Sequence, residues 1–145
     1  MKYLTLLFLS ISAITFAQKV ENYTVKTSEN EKERKMILDL ARQEVDKDIH
    51  QSVIFTVKHL KVSQNYAWLE ADAKSKDGKQ IVFEDDFHDC CHVEGLFEKK
   101  NGLWQVVQFG SFSTDCWYCG LSANYPQVPK EIFSEAAAME VDEIN

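Results

Sequence analysis

The chain has 145 residues, 16 of them basic and 23 acidic, giving a net charge of −7, with four cysteines and only two prolines. That length suits one domain with its own core and falls short of two. The acidic balance, with basic residues interleaved rather than run together, disfavours nucleic acid and anionic membrane surfaces as partners.

The first 17 residues read as an export signal. Lys2 supplies a basic start, Leu4 to Phe16 an apolar run broken only by small hydroxyl residues, and Thr15-Phe16-Ala17 the small residues a signal peptidase reads. The run is too short to span a bilayer comfortably. Residues 1–17 are therefore expected to be a cleaved signal, leaving 18–145 as a single secreted or periplasmic α+β domain without membrane insertion. Its balance is then 15 basic against 23 acidic residues, a net charge of −8.

After a polar leader over residues 18–27, Ser28-Glu29-Asn30-Glu31 has the form of a capping box, in which serine accepts a first-turn N–H and glutamate reaches back. A helix is expected from here. Met36, Ile37, Leu40, Ala41 and Val45 form its apolar stripe, opposite Lys32, Arg34, Lys35, Asp39, Arg42 and Asp46. Val53, Phe55 and Val57 then alternate as a strand, and the parity change before Leu60 and Val62 predicts a bulge near Lys58-His59. Residues 66–73 alternate Tyr66, Trp68, Glu70 and Asp72 with Ala67, Leu69, Ala71 and Ala73, of which only the second set is clearly a core face. Asp77-Gly78 and Asn101-Gly102 are pairs that tolerate positive φ at both centres of a type I′ turn. They predict hairpins joining 66–73 to 80–86 and 93–99 to 103–109. The expected fold is α+β, with an N-terminal helix packed on an antiparallel sheet of about five strands and a short irregular or helical C-terminal segment.

The order Arg34-Lys35-x-Ile37-Leu38-Asp39, Val53-x-Phe55-x-Val57, Tyr66-Ala67-Trp68, Asp77-Gly78, Gly102-x-Trp104-x-Val106, Thr114-Asp115-x-x-Tyr118, Tyr125-Pro126 and Pro129 resembles a family of small exported bacterial proteins. The resemblance covers most of the chain after the signal. It implies a fold and an export route rather than an activity, because its pattern is one of core apolars and turn residues. The helix-then-sheet order also resembles the cystatin-like and NTF2-like arrangement, a likeness of fold alone. Residues 105–110 depart from the Q-x-V-x-G loop of inhibitory cystatins and read better as a strand.

All four cysteines stand in two clusters, His88-Asp89-Cys90-Cys91-His92 and Cys116-Trp117-Tyr118-Cys119. Three readings of them stay open. In the first, Cys90 or Cys91 bonds Cys116 or Cys119, because the flanks of the Asn101-Gly102 hairpin return to one end of the sheet. Such a bridge would stabilise a small domain by about 3 to 4 kcal/mol. A bond between the adjacent Cys90 and Cys91 is the least favoured pairing. In the second, Cys116-x-x-Cys119 is a redox couple, although no thioredoxin-like βαβ order surrounds it. In the third, His88, Cys90, Cys91, His92, Cys116 and Cys119 supply ligands for zinc or copper, although neighbouring side chains on a strand point to opposite faces.

Asp85, Asp86 and Asp89 form an acidic run without Ca²⁺-loop spacing, and Ser113 with Asp115 lacks a nucleophile elbow. Asn22-Tyr23-Thr24 matches a glycosylation sequon. His50 and His59 are expected at ordinary surface positions. The expected function is a non-enzymatic binding or interaction domain stabilised by disulfides, with no cofactor and a protein or small ligand as partner. The alternative is a periplasmic thiol-disulfide or metal-handling protein using the two clusters with zinc or copper.

Overall fold

A computed structural model describes residues 19–83, 88 and 90–143. Residues 1–17, expected to be an export signal, lie outside the described residues, as do Asp85, Asp86 and Asp89. A short strand β1 (Val20–Asn22) precedes a 19-residue helix α1 (Glu31–Ile49). Four longer strands follow: β2 (Val53–Ser63), β3 (Tyr66–Ser75), β4 (His92–Lys100) and β5 (Leu103–Ser111). They form one antiparallel sheet in the order β1-β2-β3-β4-β5. Two short helices close the chain, α2 (Leu121–Asn124) and α3 (Glu135–Glu140), with a 3-10 turn at Lys130–Ile132 between them. The α+β architecture expected from the sequence is the one observed. Among the described residues, no helix is long and apolar enough to cross a membrane.

The reciprocal cap sits one residue earlier than expected. Thr27 N–H donates to Asn30 Oδ1 at 2.9 Å while Asn30 N–H donates to Thr27 Oγ1 at 3.3 Å, so Thr27 and Asn30 play the parts expected of Ser28 and Glu31. Asn30 is buried, and its amide also donates to Val25 O. Arg34 fastens the helix to the chain after β1, donating to Tyr23 O at 2.8 Å and Thr24 O at 3.3 Å.

Helix α1 buries Ile37, Leu38, Ala41 and Val45 on the sheet, with Met36 and Leu40 half-buried beside them. They meet Val53, Leu60, Val62, Ala67, Leu69, Val93 and Phe97. The predicted bulge is present, since the β2–β3 register shifts between Val57 and His59. Asn101 and Gly102 both take positive φ, 53° and 80°, as a type I′ turn requires.

The second hairpin differs. Gly78 has φ of 81° but Asp77 does not share the left-handed region, and residues 80–83 form no strand. Strand β3 instead pairs directly with β4, from Tyr66↔Glu98 to Asp72↔His92. The fifth strand is β1, drawn from the polar leader, where three residues are enough to pair with Lys61, Val62 and Ser63.

The largest departure concerns the sheet face opposite α1. Tyr66 and Trp68 are buried there with Leu96 against Leu121, Val128, Ile132, Phe133, Ala137 and Val141. The sheet thus has a core on each face, one under α1 and one under the C-terminal segment.

Candidate functional site

The two cysteine clusters come to different places. Cys90 and Cys91 immediately precede β4 and are half-buried against the core beneath α1. Trp117 and Tyr118, the two residues inside the second cluster, pack against the core on the opposite face. The sulfurs accordingly lie close together within each cluster, Cys90 beside Cys91 and Cys116 beside Cys119. Among the described residues, neither close pair joins the two clusters. The hairpin does return its flanks to one end of the sheet, but one flank stays on the helix side while the other turns over to the far face.

Around the first pair, Ala73 N–H donates to Cys91 O at 2.7 Å and holds the segment to β3. A cleft of about 430 Å³ opens here, lined by both cysteines with Lys58, Asp72, Lys74 and Gln80. The two histidines of the cluster face elsewhere. His88 stacks on Phe83 with ring centroids 4.7 Å apart. His92 places Nε2 2.8 Å from Ser113 O and 4.0 Å from a Glu94 carboxylate oxygen.

The second pair occupies a turn immediately after β5. Cys119 N–H donates to Cys116 O at 3.2 Å, and the Cα atoms of the two cysteines are 5.4 Å apart. Cys116 is exposed and Cys119 half-buried. What fixes this turn is the aromatic pair inside it. Trp68, at the centre of the sheet, lies 5.8 Å from Trp117, 5.5 Å from Tyr118 and 5.0 Å from Phe133 between ring centroids. Gly110 makes room for the arrangement, because a Cβ there would run into the Trp117 indole. Gly120 N–H donates to Glu140 O at 3.2 Å and Ser122 N–H to Val141 O at 3.0 Å, which ties the turn to the end of α3. Gly120 has φ of 73°, and a Cβ there would approach Glu143 O to 2.9 Å, so this anchoring requires glycine.

Helix α3 brings in a residue the sequence did not single out. Glu140 sets Oε2 3.5 Å from Cys116 Sγ, and the ligand atoms of Cys116, Cys119 and Glu140 all lie within 4.8 Å of one another. Of the six residues expected as metal ligands, only Cys116 and Cys119 belong to this group. Burial, with the Glu140 carboxylate beside it, pushes the Tyr118 phenol well above its usual range, so it keeps its proton.

Beneath the aromatic cover lies a row of polar side chains read straight across the sheet, His59↔Glu70 and Glu70↔Glu94. Glu70 accepts from Trp68 Nε1 at 2.7 Å and from Ser134 Oγ at 2.5 Å. His59 places Nε2 2.7 Å from Ile132 O. Burial holds the Glu94 carboxyl above the usual range, partly offset by His92 and by the Trp117 indole. Alternation placed these groups on one face, but a covering layer for that face was missing from the sequence reading.

Comparison with known protein families, with curated proteins and with solved structures finds no match to this chain. The chemistry of the site therefore rests on the side chains it brings together.

Proposed function

We propose that the chain is a thiol-disulfide protein of an oxidising, extracytoplasmic compartment, with Cys116 and Cys119 as the reacting couple. The observation that carries this reading is the convergence of the two sulfurs with the Glu140 carboxylate at the surface, Cys116 being exposed. Loop entropy supports it. Closing the four residues from Cys116 to Cys119 stabilises the fold by about 2 kcal/mol, whereas a bridge from Cys90 to Cys116 would contribute about 3.5 kcal/mol. A bond that adds so little to the fold is free to open and close.

In the reduced form the Cys116 thiolate attacks a substrate disulfide R–S–S–R′, forming a Cys116–S–S–R bond and expelling R′S⁻. Cys119 thiolate then attacks Cys116 Sγ, closing the internal disulfide and expelling RS⁻. Two electrons pass from the protein to the substrate, and the two thiol protons end on the released thiols. The Glu140 carboxylate repels a thiolate at Cys116, which favours the closed disulfide and makes the reduced couple an electron donor.

The test is equilibration of the native chain in glutathione buffers, followed by alkylation and peptide mapping. The Cys116–Cys119 pair should interconvert, and Cys119→Ser should trap a mixed disulfide at Cys116. If the pair stays closed in fully reduced glutathione, it is a structural bond and the proposal fails. A binding or interaction domain is the second reading, favoured by β5, which among the described residues is the last strand of the sheet and pairs there with β4, leaving an edge to which a further strand can add.

A further inference from the structure

The turn gathers three groups that are anionic once the disulfide is reduced and its thiols ionise: two thiolates and the Glu140 carboxylate, with ligand atoms within 4.8 Å. Three such charges this close repel one another strongly unless a cation sits between them. We propose that the reduced form binds one zinc ion through Cys116 Sγ, Cys119 Sγ and a Glu140 carboxylate oxygen. The inference rests on the redox reading of the same pair, since the sulfurs become ligands only when their bond is broken.

The ligand chemistry fits a borderline-soft d¹⁰ cation. Thiolate and carboxylate are both zinc donors, with bonds of about 2.3 Å to sulfur and about 2.0 to 2.2 Å to oxygen. Tetrahedral angles at those lengths place two sulfurs about 3.8 Å apart. Two Cα atoms 5.4 Å apart on one turn can reach that separation once the sulfurs are released from each other. The third ligand is held independently of the metal. The backbone bonds from Gly120 to Glu140 O and from Ser122 to Val141 O fix the end of α3 against the turn. The Tyr118 hydroxyl hydrogen-bonds the Glu140 carboxylate and serves as an outer partner that orients it. Three protein ligands with Cys116 exposed leave the fourth position open to solvent or to a second molecule, the pattern of a site that exchanges or acts on what it binds.

The step balances as follows. An added phosphine gives its electron pair to the disulfide, breaking the S–S bond, and is released as phosphine oxide with an oxygen from water, while the two protons of that water end on the Cys116 and Cys119 sulfurs as two thiols. Zinc then displaces the two thiol protons, which go to buffer, and forms two Zn–S bonds and one Zn–O bond.

The experiment takes the full native chain, reduces it anaerobically with a phosphine, counts and maps the thiols, and titrates zinc against a chromophoric chelator. Cadmium provides a second probe through its sulfur-to-metal charge-transfer absorption. One zinc per chain is expected, lost on Cys119→Ser. Affinity should fall about 10-fold or more in Tyr118→Phe, as for the loss of an outer partner, and at least as far in Glu140→Gln. Cys90→Ser should leave both readouts unchanged. Thiols mapped to Cys116 and Cys119 without zinc uptake would overturn the metal site and leave the redox couple standing. Failure to free those thiols would overturn both. Zinc that survives Cys119→Ser and Glu140→Gln but is lost on Cys90→Ser belongs to the other pair and overturns the assignment.

Discussion

Trp68→Ala tests whether the second core is an integral layer. The Trp68 side chain is fully buried at the centre of the sheet, on the face opposite α1. A buried tryptophan removes about 150 to 250 Å² from water, worth about 4 to 6 kcal/mol at about 25 cal/mol per Å². Its contacts with Trp117, Tyr118 and Phe133 add an aromatic contribution of about 0.5 to 1.5 kcal/mol each. Relaxation of the neighbours returns part of this, and aromatic-to-alanine changes in cores cost about 3 to 5 kcal/mol in practice. With a urea slope of about 2 kcal/mol per M, the unfolding midpoint should fall by about 2 M. The same variant should speed reduction of Cys116–Cys119, because Trp117 and Tyr118 lose the surface that holds the turn. Val45→Ala, on the helix side, should destabilise the fold without that second effect. A Trp68→Ala midpoint within about 0.5 M of the parent, with an unchanged reduction rate, would refute the two-core architecture.

Gly110→Ala should cost about 1 to 3 kcal/mol and loosen the turn, since the new methyl meets the Trp117 ring; equilibrium unfolding and the reduction rate read both effects. Ile37→Ala should cost about 2 to 5 kcal/mol by urea unfolding, and the half-buried Leu40→Ala markedly less, an order that a surface-lying α1 would not produce. Glu94→Gln should change how stability depends on pH. The folded carboxyl lies above its ordinary 4.5, so the native state holds this proton more tightly than the unfolded chain does. Its contribution is therefore fully present below about pH 4.5 and lost as pH rises through the folded value. His92, Glu70 and Lys58 act on it from their own strands. The difference in unfolding free energy between parent and variant, followed from pH 4 upward, should move in favour of the glutamine chain; no drift, or the opposite one, would contradict the burial argument.

Period-two alternation and turn chemistry made much of the sheet legible. The parity slip between Val57 and Leu60 located the bulge, and Asn101-Gly102 located the last hairpin, because both features are set by neighbours in sequence. The second core was not legible for the same physical reason. Leu121, Val128, Ile132, Phe133, Ala137 and Val141 follow neither a period of 2 nor one of 3.6, being spread over two short helices and a turn. Without a visible cover, the Tyr66-Trp68 face read as half solvated. The separation of the two cysteine clusters was not legible for the same reason, since only the second layer draws residues 113–143 across to the far face. Glu140 went unnoticed because 21 residues separate it from Cys119, and no local pattern links them.

The order of the strands in the sheet is also their order along the chain. Each strand after β2 is therefore added to a neighbour that is already complete, so a chain growing or emerging from its N-terminus never waits for a distant partner to extend the sheet. The C-terminal layer is the exception, because it can dock only after β3 and β4 have presented Trp68 and Leu96. A chain ending just after Phe112 would retain the residues of its helix-side core yet show water the Tyr66 and Trp68 rings, the kind of uncovered surface on which partly folded chains stick to one another.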